Sequence, residues 1–477
     1  MNGNVESGRS EGERTDADLV VVGAGPGGYT AAIRGAQRGL DVVLVEKETV
    51  GGVCLNHGCI PAKALIHAAG FQKDIQGWND IGIHTGDLEV DFAEIQEWKR
   101  DVVRRLDDRI LEVLDHHDVD YVEGTARFLD SGTIAVSRDG PDLEVAFSDA
   151  VLATGSLPIE LPGLGFEKDG VISSREILQV EAVPDEVIVV GGGYIGMEAV
   201  TKFAKFGSSV RVVEARDRVL CMFEEEVVDA IQETSEMYTS GIYTSAWARD
   251  VTYEDGDPVL VVEQDGEMIR LRADYVVVAA GRETRSTREQ LGLENTDVET
   301  DEDGFVATDE RMRTTDDNVL CVGDAAGEPF LAHVAYREGK VAAEVAAGND
   351  ATFDTEYVPA VMYTDPEVAV VGLNEAEARE QHGEVLVGRF PLSASGRALT
   401  ANRSAGYVKV VADADERLLG VRIVGARAAD TIAEATFALE TDASLDDIAD
   451  TVHAHPTFPE ALCDAVEAAK GESIHSV

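Results

Sequence analysis

Asp18-Leu-Val-Val-Val-Gly23-Ala-Gly-Pro-Gly-Gly28 joins a short, continuous apolar run to a glycine triad, and Tyr29 to Gln37 then opens a helical pattern. An uninterrupted run of this kind predicts a strand buried on both faces of a parallel sheet. Asp41-Val-Val-Leu-Val-Glu46 is the next strand, and it ends on an acid eighteen residues past Gly28. Gly23, Gly25 and Gly28 have the G-x-G-x-x-G spacing of a dinucleotide site. Glycines let the backbone approach a pyrophosphate, the helix N-terminus stabilises its charge, and Glu46 is placed for a ribose. The pattern recurs: Glu186-Val-Ile-Val-Val190 leads to Gly191, Gly193 and Gly196, a helix follows, and the strand from Ser209 ends on Glu214, again eighteen residues on. Two complete fingerprints predict an α/β chain with two Rossmann-like domains and two dinucleotides. One site surviving only as a structural relic is the weaker alternative.

Between the first acid and the next domain lies Gly51-Gly-Val-Cys-Leu-Asn-His-Gly-Cys-Ile-Pro-Ala-Lys63. Cys54 and Cys59 stand five residues apart, too far for the C-x2-C pairs of zinc sites, so no metal is expected. Gly58 permits a tight turn before Cys59, and Pro61 suits the first turn of a helix. A thiol at a helix N-terminus with Lys63 nearby is predicted to have a lowered pKa and to react as thiolate. A redox-active dithiol is the reading set against two buried structural cysteines. Beside it, a flavin at the first nucleotide site and a nicotinamide at the second make a chemical sequence from thiols to a pyridine nucleotide. Glu214 favours NAD over NADP, because a carboxylate repels a 2′-phosphate; Arg216 and Arg218 could blunt that repulsion or serve as solvated charges.

Val151 to Gly155 predicts a strand ending in a glycine turn, and Tyr275 to Gly281 matches it after the second site. Leu320 to Ala326 is a further strand and turn with Asp324 placed to meet a sugar chain, and a helix follows from Leu331. From about Tyr357 the texture changes to strands joined by polar turns, then helices rich in alanine and acid, as expected of a separate α+β domain. His453-Ala-His-Pro-Thr-Phe-Pro-Glu460 stands before the last helix. A histidine is the natural acid–base group for thiol chemistry near neutral pH, and Glu460 could orient it. Locally, His453 and His455 are both candidates, and so is a plain turn without catalytic work.

The charge balance is extreme: 40 Lys plus Arg against 91 Asp plus Glu gives −51, spread along all 477 residues. With 44% hydrophobic residues the chain has a core to bury, so this is not disorder. A carboxylate coat suits a protein dissolved in concentrated salt, where repulsion is screened, and predicts a halophilic cytoplasm. It excludes nucleic acid and anionic membrane surfaces as partners. Five cysteines do not make a secreted disulfide framework, and Cys221, Cys321 and Cys463 are expected to be structural. Residues 1–17 are polar and expected to form a flexible tail; no stretch of eighteen apolar residues predicts a membrane span.

Taken together, GAGPGG, GGVCLNHGCIPAKAL, GGGYIGME, CVGDAAG, YTDPEVAVVGL and HAHPTFPE, in this order from about Asp18 to Ala468, resemble the pyridine nucleotide-disulfide oxidoreductases, and among them those acting on dihydrolipoyl groups. The resemblance implies FAD on Gly23, Gly25, Gly28 and Glu46, with Ala126, Thr154, Gly155, Asp324 and Ala332 around it. It implies NAD on Gly191, Gly193, Gly196 and Glu214, with Gly281 beside it, and an ion pair of Lys63 and Glu198 near the flavin. Cys54 would be the thiol that exchanges with substrate and Cys59 the one against the flavin. His455 is preferred to His453 as base, with Glu460 its partner. A homodimer is implied, the histidine of one chain serving the cysteines of the other. The implied domains are 18–156 for FAD, 157–284 for NAD, 285–355 returning to FAD, and 356–477 for the interface. Val53, His57 and Pro459 depart from the family pattern. The rivals are a reductase for another small thiol, of the glutathione or mercuric type, and a redox-sensing flavoprotein without turnover.

Overall fold

The computed structural model describes residues 13–77, 81–84, 86, 88–284 and 290–476. Two compact units emerge: one built from the chain through Ala64, Ala93–Ile159 and Gly281–Asp354, the other from Leu65–Phe92, Glu160–Ala280 and Thr355 onward.

In the first unit, β1 (Glu13–Val22), α1 (Pro26–Gln37) and β2 (Val42–Glu46) form the expected strand–helix–strand. The redox stretch forms α2 (Gly52–His57) and the start of α3 (Cys59–Gly77); α4 (Phe92–His116) then leads to β3 (Asp120–Glu123), β4 (Thr125–Asp130), β5 (Thr133–Ser137) and β6 (Leu143–Leu152). The sheet runs in the order β3-β2-β1-β6-β5-β4. β6 has two partners on one edge: its first half pairs antiparallel with β5, and Ala150–Leu152 pair in parallel with the strand Val319–Cys321. Alternation splits β1 between two cores, Val20 and Val22 facing one and Leu19 and Val21 the other, which is why its sequence is apolar without a break.

The flexible-tail expectation needs correction. Residues 1–12 lie outside the described residues, but Glu13–Ala17 extend β1 and pair with Leu143–Phe147 of β6. Main-chain hydrogen bonds to a long neighbouring strand recruit this polar segment, a signal its side chains do not carry.

The second unit contains a parallel sheet of Thr239–Tyr243, Ser209–Val213, Glu186–Val190, Tyr275–Val278 and Val171–Ser173, with the helix Tyr194–Phe206 after the second glycine turn. An antiparallel sheet of Ala246–Glu254, Asp257–Gln264 and Glu267–Arg272 is inserted before its last strand. The C-terminal segment forms an antiparallel sheet, Ala360–Met362, Val368–Gly372, Leu418–Gly425, Gly406–Asp413 and Val385–Pro391 in spatial order. The helices Ala428–Glu440 and Glu460–Lys470 bury their apolar sides on it. Among the described residues no helix is long and apolar enough to cross a membrane.

Candidate active site

The two glycine turns are built alike. Gly23 and Gly191 have φ of 99° and 107°, in the left-handed region open to glycine. A Cβ on Gly28 would overlap the carbonyl oxygen of Gly23, and one on Gly196 would overlap that of Gly191. At Gly25 and Gly193, the N-cap residues of their helices, a Cβ would meet no atom within 4 Å. Each helix therefore presents uncapped first-turn N–H groups to open space, the cradle a pyrophosphate needs. The acids close each turn: Glu46 accepts from the amides of Ala24 and Glu48 at 2.7 and 2.8 Å, and Glu214 from those of Gly192 and Arg216 at 2.6 and 2.8 Å. Arg216 contacts the Sγ of Cys221, and Arg218 donates to the carbonyl of Phe223 at 3.0 Å, so both guanidiniums have partners within the protein.

Gly28→Ala and Gly25→Ala separate fold from cofactor. Gly28→Ala is expected to destabilise the protein by about 1–3 kcal/mol and to release flavin, because backbone must move. Gly25→Ala, which meets no protein atom, should leave thermal unfolding of the flavin-free protein unchanged while lowering flavin content. Calorimetry and flavin stoichiometry check both.

The remaining residues expected at the first site are placed as follows. Ala126 lies in β4 opposite Val136 with its methyl buried. Thr154 and Gly155 follow β6, and Gly155 turns at φ 66°. Asp324 lies in the 3-10 turn Gly323–Ala325, and Ala332 opens the helix Ala332–Ala346. Asp324 shares a hydrogen bond with Ser156, which also accepts from Arg282 Nε at 2.6 Å, and Arg282 stands 3.6 Å from the Asp324 carboxylate. This cluster is absent from the sequence reading, which does not single out Ser156 or Arg282. Gly281, beside it, has φ of 131°.

Cys54 lies in α2 and Cys59 is the first residue of α3, so the helix start at the second thiol is as expected. The structure holds the pair as thiols, with Cys54 hydrogen-bonded to Cys59. The lowering expected of the thiol at this helix start, Cys59, does not extend to Cys54. Its hydrogen bond with Cys59, then burial and the Cys59 charge, push it well above the usual thiol range. Lys63 and the Cys59 amide pull it down without offsetting these effects. Tyr29 and Tyr336, missed by the sequence reading, are hydrogen-bonded at 2.9 Å, and burial is the largest effect raising both phenols. Glu198, buried in the helix Tyr194–Phe206, accepts from the amide of Tyr363 at 3.0 Å.

The two histidines have opposite surroundings. His453 Nδ1 lies 2.9 Å from the carbonyl of Thr451 and Nε2 2.7 Å from Glu434, and its side chain is 9% exposed. His455 Nδ1 lies 2.8 Å from Glu460 and its side chain is 78% exposed. With Glu460 accepting from Nδ1–H, the neutral imidazole presents a lone pair at Nε2 to the outside. Burial works against charge on Glu460, but the Thr457 amide at 2.5 Å and His455 outweigh it and hold the carboxyl below the usual range. Glu460 therefore stands beside the histidine as a carboxylate.

Residues 17–339 match the family described as pyridine nucleotide-disulphide oxidoreductase, and residues 358–466 match its dimerisation domain. The chain is 44% identical to dihydrolipoyl dehydrogenase 2 of Haloarcula marismortui over 97% of its own length and 98% of that protein. It is 43% identical to the dihydrolipoyl dehydrogenase of Haloferax volcanii and 40% to that of Bacillus subtilis, with the same coverage. Among solved structures, the HOCl-induced flavoprotein disulfide reductase RclA of Escherichia coli superposes with a TM-score of 0.85 at 26% identity, covering 95% of this chain and 99% of that one. LpdA of Mycobacterium tuberculosis shares the fold, with a TM-score of 0.88 at 23% identity over 95% and 99% of the two chains. With two nucleotide turns, a dithiol and a full-length match, the chain belongs to the pyridine nucleotide-disulphide oxidoreductases.

Proposed function

We propose that the protein is a dihydrolipoyl dehydrogenase, oxidising dihydrolipoyl groups to the cyclic disulfide and reducing NAD to NADH, with Cys54 and Cys59 as its redox pair. The observation that carries this is the hydrogen-bonded Cys54–Cys59 pair directly following the first nucleotide turn, in a chain whose second turn closes on Glu214. Relatives of the same name over the whole length support it.

In this reading His455 Nε2 takes a proton from one substrate thiol. The substrate thiolate attacks Cys54 Sγ of the oxidised pair; the Cys54–Cys59 bond breaks, a mixed disulfide forms, and Cys59 leaves as thiolate. The second substrate sulfur, once deprotonated, attacks the mixed disulfide, closes the cyclic disulfide and displaces Cys54, which takes a proton. FAD, when bound, supplies the route by which the pair's two electrons reach NAD and the disulfide re-forms. Glu460 orients the imidazole and offsets its charge once Nε2 has taken the substrate proton. Residues 18–156 and 285–355 are assigned to FAD, 157–284 to NAD and 356–477 to the interface. The working form is a homodimer in which His455 of one protomer serves the cysteines of its partner, and the setting is a salt-rich cytoplasm.

The test is anaerobic addition of dihydrolipoamide, in molar KCl, with NAD or NADP. Rapid NADH formation and little NADPH is the expected result. Flavin reduction without lipoamide turnover would overturn the substrate and leave the family untouched.

A further inference from the structure

Arg282 takes no part in the reaction derived above, yet it is nearly buried and its bonds converge on one residue. It lies on the short strand Arg282–Glu283, which pairs antiparallel with Leu157–Pro158, and its side chain is 11% exposed. Nε donates to Ser156 Oγ and Nη2 to the Ser156 carbonyl, both at 2.6 Å. Two bonds from one planar guanidinium fix the orientation of Ser156 as well as its place. With Nε–H occupying one lone pair, the hydroxyl directs its own hydrogen to Oδ2 of Asp324. Arg282 stays 3.6 Å from that oxygen, outside hydrogen-bond range, so the serine is the link between them.

The turn that carries Asp324 is held by a different group. Glu338, on the helix Ala332–Ala346, accepts from the Gly323 amide at 2.6 Å, and Gly323 turns at φ 68°. Backbone and Oδ2 are thus both fixed, and among the described residues nothing donates to Oδ1. A single oriented acceptor is what recognition of a sugar hydroxyl needs. We infer that Arg282 is a positioning residue of the flavin site: through Ser156 it aims Oδ1 of Asp324 at a hydroxyl of the flavin's sugar chain. The inference rests on the first nucleotide turn taking FAD, and its test does not read turnover.

Removing the guanidinium leaves the Ser156 hydroxyl free to rotate and its carbonyl without that donor. Asp324 then loses its fixed orientation and must be ordered anew when the cofactor binds. The cost falls on the sugar-chain half of FAD. The adenosine diphosphate half answers to the glycine turn and Glu46, whose partners do not include Arg282.

Full-length protein is stripped of flavin in molar KCl, which screens the guanidinium charge. FAD affinity is read from flavin fluorescence, and ADP affinity from competition with FAD for the same site. Arg282→Met should weaken FAD about tenfold, the effect of one charge-assisted bond lost, and leave ADP unchanged. Arg282→Lys keeps the charge but not the two-pronged donor, and should weaken FAD about as much. Ser156→Ala breaks the same link and should match them. In an Asp324→Ala background, Arg282→Met should cost nothing further. Wild-type FAD affinity in Arg282→Met or Arg282→Lys, a parallel loss of ADP, or an undiminished loss beside Asp324→Ala each overturns the inference. Should the methionine variant not fold, the lysine and alanine variants decide. Wild-type protein that takes up no FAD would instead refute the cofactor assignment, so the two readings fail separately.

Discussion

Cys59→Ser is expected to abolish NADH formation from dihydrolipoamide, by about a thousandfold or more, and Cys54→Ser is expected to do the same. Neither variant can form the intramolecular disulfide that the substrate must open. They should fail at different points. With Cys54 alone, a substrate thiol can form a mixed disulfide under oxidising conditions, but no neighbouring sulfur can receive the electrons. With Cys59 alone, the thiol that meets the substrate is missing. Reduction of an artificial electron acceptor by NADH needs the nucleotide sites and neither thiol, and should survive in both. Substantial lipoamide turnover in either variant would sink the mechanism, whereas loss of both activities would point to a folding defect.

His455→Gln should lower kcat/KM for dihydrolipoamide by about a hundredfold to ten-thousandfold at neutral pH, the range of general acid–base catalysis. The residual rate should climb with pH, since hydroxide increasingly supplies the substrate thiolate that the imidazole no longer makes. Glu460→Gln should cost less, because the imidazole stays and only its anionic partner is removed. His453→Gln is the control. Both nitrogens of that ring are engaged, with Thr451 and Glu434, so its loss should appear in thermal stability before turnover. Steady-state rates across pH for the three variants check the assignment. A loss confined to His453→Gln would reverse it.

The nucleotide turns were legible because each part of the fingerprint is local: strand, glycines, helix and acid lie within about thirty residues, a βαβ span. The dithiol was legible for the same reason. Locally the two histidines could not be told apart and the choice of His455 came from the resemblance, because Glu434, which occupies His453, lies nineteen residues back on the helix Ala428–Glu440. The upward shift at Cys54 escaped too, since Lys63 is visible in sequence while the hydrogen bond to Cys59 and the burial are not. Ser156 meets Arg282 from 126 residues away and Asp324 from 168. The strand Val385–Pro391 has its place beside Gly406–Asp413 set by pairing.

The double-edged strand β6 has a bearing on how the chain is made. Its inner half waits for Val319–Cys321, and α1 waits for the helix Ala332–Ala346, whose Gly339 leaves no room for a Cβ against Gly27. A nascent chain emerging from the ribosome can therefore assemble the second nucleotide sheet while the first is still short of a strand and a covering helix. Closing a loop of this length costs entropy before contacts repay it, so the first sheet should mature late. Flavin uptake is then a step after synthesis of most of the polypeptide, and fragments ending before Val319 should be prey for proteases.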